Sequence, residues 1–227
     1  MDTLQGKGLL TPVQEAFLRL FSGLPDQERF YLTGGTALAE FYLGHRLSFD
    51  LDLFTAEADL ILPFSYGLES ACRAGGLGVQ AVRRFSSFVE LVVSSEAESV
   101  RVDLAMDSPY RFDAPVASRY GVWINGWQDL SVDKLLAYYG RAEPRDAIDL
   151  YFILQSEPLD PLLALAAQKD PGFDLYWFAV GLNRAADLPD EAERWPVKML
   201  VEWEPTLIKE RFQRLADDTM SRAAGWP

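Results

Sequence analysis

The sequence predicts an α+β protein: a lobe of mixed sheet and helices, then a lobe built from helices. Three observations carry this. Tyr31 to Phe54 reads as strand, glycine turn, short helix and strand; three short β-rich segments follow one another between Val79 and Ala105; and helical periodicity takes over from Asp129 or Ser131 to the end. The stretch 107–127, rich in Pro, Tyr, Trp and Gly, reads as an irregular connection, so the expected lobes are 1–127 and 128–227.

Taken in order, residues 11–24 predict a first helix. Thr11 is a good N-cap, Pro12 suits the first turn, Gln14 completes a capping box, and Val13, Ala16, Phe17, Leu20, Phe21 and Leu24 recur at helical spacing as core. A strand near Phe30–Thr33 feeds Gly34-Gly35, and a short helix from Thr36 to Leu43 ends near Gly44. Along Ser48–Phe54, apolar Phe49, Leu51 and Leu53 alternate with Ser48, Asp50 and Asp52, the mark of a half-buried strand. The polar run 55–59 predicts a loop and 63–74 a helix stopped by Gly75-Gly76. Strands are expected at Val79–Arg84, Phe88–Ser94 and Ser99–Ala105, the last two joined as a hairpin through Ser95-Glu96-Ala97-Glu98, with a further short strand at Gly121–Ile124. Beyond the connection, Pro144 opens a helix, and others are expected at 161–168, 173–182, 197–203 and 205–221. Phe173, Tyr176, Trp177 and Val180 predict the buried face of the third of these.

Composition excludes several classes of function. With 49% hydrophobic residues in 227, the chain can build a substantial core. No stretch approaches the ~20 apolar residues of a membrane span, and no signal-like N-terminal run precedes the charged and polar start, so a cytoplasmic protein is expected. A single cysteine, Cys72, gives neither a disulfide nor a thiolate zinc site and is expected as a helix core residue; a single histidine, His45, excludes His-pair zinc chemistry. The net charge of −13 is spread over both halves without a basic arm. It disfavours capture of DNA or RNA through many phosphate contacts and suits a basic protein partner.

The alternation in Ser48–Phe54 puts the Asp50 and Asp52 carboxylates on one face, about 6 to 7 Å apart along the strand. Like charges so placed beside buried apolar surface repel each other, and a divalent cation between them relieves this. Magnesium is the natural candidate. Upstream, Gly34 and Gly35 let backbone approach a phosphate, the helix after them offers unpaired N–H groups, and Thr36 adds a hydroxyl. The glycine turn, followed 15 residues after Gly35 by Asp50-x-Asp52, resembles the signature of polymerase-β-type nucleotidyltransferases, and the run GGTALAEFYLGHRLSFDLDLF resembles the AbiEii/AbiGii abortive-infection toxins within that superfamily.

The resemblance implies a nucleotidyltransferase lobe of the polymerase-β type, a helical lobe completing the active-site cleft, and transfer of a nucleoside monophosphate from a nucleoside triphosphate to a hydroxyl. In its terms Asp50 and Asp52 hold magnesium, with Asp103, on the strand Arg101-Val102-Asp103-Leu104, as third ligand and base; Gly34, Gly35 and Thr36 cradle phosphates; and Arg46 and Ser48 lie in the same motif as phosphate or carboxylate partners. A second motif spans Ser131 to Tyr151. Lys134, Tyr138 and Arg141 fall on one helix face, and Asp146 and Asp149 share a side of the next helix. Alone this reads as a salt-bridged hairpin; the resemblance assigns Lys134 to nucleotide phosphates and either Asp149 or Asp146 to the site. A cognate antitoxin and an RNA acceptor such as tRNA are the implied partners, the second at odds with the acidic surface. An antibiotic-modifying nucleotidyltransferase and a binding protein that keeps the fold without catalysis are the alternatives.

Overall fold

The computed structural model describes residues 3–223. The chain divides into two compact units, Met1–Trp127 and Gln128–Pro227. The α+β expectation is borne out: the described residues hold a seven-stranded mixed sheet and eight α-helices.

In the first unit, helix α1 (Pro12–Phe21) starts as its sequence dictates, with Thr11 accepting the Gln14 backbone N–H and the Gln14 side chain returning to the Thr11 N–H. Strand β1 (Tyr31–Thr33) runs into helix α2 (Gly34–Ala37), which widens into a π-helical turn over Leu38–Leu43. Gly44, at φ 70, closes it by donating its N–H to Ala39 O, one residue further back than an α-helix would reach. Strand β2 (Asp50–Thr55) follows; Phe49 precedes it and is 54% exposed, so the strand begins two residues later than the expected Ser48. Helix α3 (Ala58–Ala74) begins five residues before the expected Pro63, because fully buried Ile61 extends the apolar stripe of Phe64 and Leu68 by a turn. Proline signals a helix start when it occupies the first turn, but here it is tolerated inside.

Strands β3 (Gly78–Phe85), β4 (Phe88–Ser94) and β5 (Ser99–Met106) form the expected antiparallel run, and β4 and β5 turn at Ser95–Glu98. Two short strands close the other side: β6 (Val116–Ala117), which the sequence did not signal, and β7 (Trp123–Ile124). The strand order is β3-β4-β5-β2-β1-β7-β6, with β2 parallel to β5 and β1 parallel to β7. One face carries Leu51, Leu53, Val89, Leu91, Val93, Val100, Val102 and Leu104, all buried, and α1 and α3 pack on β4 and β5. Cys72 is buried in α3, as expected, and its thiol pKa is pushed up to about 11 by burial.

The second unit is helical: α4 (Trp127–Arg141), α5 (Pro144–Ile153), α6 (Leu159–Lys169), α7 (Leu175–Asn183) and α8 (Pro205–Ala223). Two expectations fail. The segment 197–203 forms no helix: Leu200 and Val201 are both more than 40% exposed, so that run has no single face to bury. In α7 the buried stripe is Leu175, Phe178, Ala179 and Leu182, while Tyr176 and Trp177 are about half exposed. Residues 175–182 are apolar almost throughout, so periodicity alone does not choose the face. No helix among the described residues is long and apolar enough to cross a membrane.

Candidate active site

Strand register builds the site. Across β1, β2, β5, β4 and β3 the partners Thr33, Asp52, Asp103, Glu90 and Arg83 form one row, all directed away from the packed face. One row toward the β2 N-terminus, Asp50 lies opposite Arg101. Adjacent strands stand about 5 Å apart and residues two apart along a strand about 7 Å, so Asp50, Asp52 and Asp103 share one patch of sheet.

The glycine turn faces this patch. Gly34 has φ +70, and a Cβ on it would lie 1.9 Å from Asp52 Oδ2; a Cβ on Gly35 would lie 2.7 Å from both Arg46 Nη2 and Ser48 Oγ. Only glycine lets the turn pass so close to the carboxylate and to the Arg46–Ser48 segment. Thr36 plays a different part from the phosphate contact expected of it: it is 2% exposed and donates its hydroxyl to Asp50 O at 2.5 Å, so it fixes β2 against the helix. Gln14 does the same from α1, donating to Ser48 O at 3.0 Å. Arg46 and His45 are both buried, and Arg46 donates to Leu47 O.

Arg101 lies across the carboxylates, its Nη2 2.8 Å from Asp50 Oδ2 and its Nε 3.7 Å from Asp103 Oδ2. Asp103 Oδ1 and Arg101 Nε are both buried without a hydrogen-bond partner. Burial, with Asp52, Glu90 and Asp50 adding to it and Arg101 opposing, pushes the Asp103 carboxyl up to about 6. Among the described residues no three His, Cys, Asp or Glu side chains are gathered so as to hold a metal ion as they stand. The donor set is nonetheless of the right kind, hard carboxylate oxygens on rigid strands with one orphaned buried oxygen, and it suits magnesium or manganese rather than a soft metal.

The remaining expected residues belong to the second unit. Lys134 pairs with fully buried Asp149 at 2.8 Å, and Arg141 grips fully buried Asp146 through two bonds of 2.6 and 2.8 Å. The helical hairpin α4–α5 is therefore salt-bridged, and its basic face is neutralised from within. Arg145 turns to Glu143 at 3.0 Å.

Residues 16–115 match the family model described as nucleotidyl transferase AbiEii toxin, type IV TA system. This stretch is similar to the AbiEii nucleotidyltransferase toxins. Three solved structures share the fold over almost the whole chain. A candidate nucleotidyltransferase from H. pylori is 15% identical with a TM-score of 0.61, over 94% of each chain. JHP933 from Helicobacter pylori is 14% identical with a TM-score of 0.58, over 94% of this chain and 91% of its own. MenT4, a nucleotidyltransferase toxin from Mycobacterium tuberculosis H37Rv, is 19% identical with a TM-score of 0.57, over 93% and 85%. No curated protein matches the sequence. The resemblance read from the glycine turn and Asp50-x-Asp52 is borne out over residues 16–115, and the solved structures share the fold.

The first unit also holds polar residues near the carboxylates that sequence reasoning missed. Glu90 follows from hairpin register once the Ser95–Glu98 turn is fixed, so the signal was present. Asn125 left no local signal: it is fully buried, donates to Thr33 Oγ1 at 2.9 Å, and accepts from Arg111 Nη1 at 2.8 Å. Arg111 in turn pairs with Asp107 at 2.8 Å and stacks over Tyr31, 3.8 Å from the ring centre. The irregular stretch 107–127 thus carries a polar network to the end of β1, where the glycine turn starts.

Proposed function

We propose that the protein transfers a nucleoside monophosphate from a nucleoside triphosphate to a hydroxyl acceptor, releasing pyrophosphate, and serves as the toxin of a toxin–antitoxin pair. The observation that supports this best is the convergence of Asp50, Asp52 and Asp103 on one patch of sheet against which Gly34 is packed. A divalent cation held by these three would neutralise the triphosphate and lower the barrier to attack by the hydroxyl.

The chain's own residues do the rest. The N–H groups that begin α2 at Gly34 and Gly35 meet the phosphates, and Arg46, behind Gly35, lends positive charge. Asp103, held near neutral-pH titration by burial, accepts the acceptor hydroxyl's proton. In the second unit, Lys134 is held by Asp149 at 2.8 Å and offers a cation to a phosphate group. Thr36 and Ser48 hold β2 and the loop before it in register.

The test is to incubate the protein with each of four triphosphates, labelled at the α- or the γ-phosphate, and with total tRNA, total protein or aminoglycosides. The proposal expects α-label, and no γ-label, to enter one acceptor. Label in aminoglycoside would favour an antibiotic-modifying enzyme, and γ-label in the acceptor would contradict nucleotidyl transfer. Co-expression with a cognate antitoxin gene product should relieve growth arrest caused by the protein alone.

A further inference from the structure

We propose that Arg101 is a built-in counter-cation that exchanges with the divalent ion: it holds the carboxylates of β2 and β5 together while no metal is bound, and metal entry expels it. This rests on the metal-binding reading of Asp50, Asp52 and Asp103.

Three features carry it. Arg101 and Asp50 are direct cross-strand partners, so the guanidinium is delivered to the carboxylates by register and not by a mobile loop. Its contacts span two of the carboxylates assigned to the metal, 2.8 Å to Asp50 and 3.7 Å to Asp103. A divalent ion bridging those carboxylates would bring two more positive charges within a few ångströms of the guanidinium, so the two cations compete for one place.

The fit of Arg101 is also incomplete in a way that favours exchange. Its Nε and Asp103 Oδ1 are both buried without hydrogen-bond partners. Each such orphan gives up its hydrogen bonds to water without a replacement. Metal on Asp103 satisfies one, and rotation of Arg101 into water or onto a phosphate satisfies the other. Arg101 and Asp50 side chains are 41% and 33% exposed, so the pair between them is screened and weak. A counter-ion held in this way keeps the carboxylates from splaying apart, yet yields to a doubly charged ion. Once expelled, the guanidinium remains attached two residues from Asp103, at the rim of the carboxylate patch.

Calorimetric titration with manganese, in the absence of nucleotide, tests the exchange. Arg101→Gln should bind manganese about tenfold more tightly than the unaltered protein, the size expected from removing one positive charge about 5 Å from a divalent ion in water. Arg101→Lys, which keeps the charge, should return affinity toward the unaltered value. Arg101→Gln should also melt at lower temperature without metal and regain most of that loss in saturating manganese, a pattern that separates charge relief from general damage. Asp52→Asn should remove manganese binding in every background. If Arg101→Gln binds manganese no more tightly while Asp52→Asn still abolishes binding, the exchange is wrong and the metal site stands. If no protein binds manganese, the metal assignment fails and the exchange with it.

Discussion

Gly34 shows how much rests on single atoms. Its φ of +70 and the 1.9 Å separation that a Cβ would have from Asp52 Oδ2 mean that Gly34→Ala must displace either the turn or the carboxylate. We expect a loss of about 1 to 3 kcal/mol in a denaturant melt and loss of transfer activity, whereas alanine at Gly67, inside α3 with open space around it, should leave activity unchanged and add up to about 1 kcal/mol of stability. Lys134 poses a different cost. Lys134→Met takes from fully buried Asp149 its 2.8 Å ion pair and should destabilise by roughly 3 to 5 kcal/mol; adding Asp149→Leu should recover most of that stability without recovering activity. Recovery of activity in the double variant would make the pair purely structural. Asp50, Asp52, Gly34 and Gly35 were legible in the sequence because strand alternation and a glycine turn are local patterns. Arg101 was visible as a residue but not as a cation lying over Asp50, since that depends on which strand lies beside β2. Asn125 and Arg111 act through contacts that span the irregular stretch and β1, and no local pattern announces them.

At the scale of elements, the first helix and the glycine turn were readable because capping chemistry and backbone conformation act within a few residues. Gln14 links them: fully buried, it accepts from the Thr11 N–H and donates to Ser48 O just before β2. Gln14→Leu keeps the volume but strands both partners, and should cost about 1 to 3 kcal/mol in thermal melts while weakening nucleotide binding through the Ser48 segment. Unchanged stability would mean that water replaces the amide. The π-helical turn over Leu38–Leu43 was read as ordinary helix, because an i→i+5 bond leaves no compositional mark; its ending at Gly44 was readable, since a positive φ asks for glycine. The helix expected at 197–203 failed for want of a buried face, and the face of α7 was misread because nearly every residue there is apolar. Helix periodicity is informative only where polar residues interrupt it.

For the whole molecule, charge and protonation set the conditions of folding. Burial raises the Asp103 carboxyl from its ordinary value near 3.8 to about 6. The native state therefore keeps a proton that the unfolded chain has already lost between about pH 4 and pH 6. Its contribution to stability is complete below pH 4 and is lost as pH rises through 6. Without divalent metal, Asp103→Asn should accordingly raise the melting temperature at pH 7.5 and leave it unchanged at pH 4; a variant equally affected at both would show that the carboxyl is not held up by burial. The net charge of −13 was readable from composition and favours a basic protein over a long nucleic-acid duplex as a partner. The most direct measurement of the central claim is the yield of α-labelled product from triphosphate by the unaltered protein, by Asp50→Ala and by Asp52→Ala, each first shown by circular dichroism and thermal melting to be folded. The account predicts that both variants lose at least a hundredfold in transfer, on the order of removing a principal electrostatic stabiliser of the transition state. Full labelling by either folded variant would contradict it.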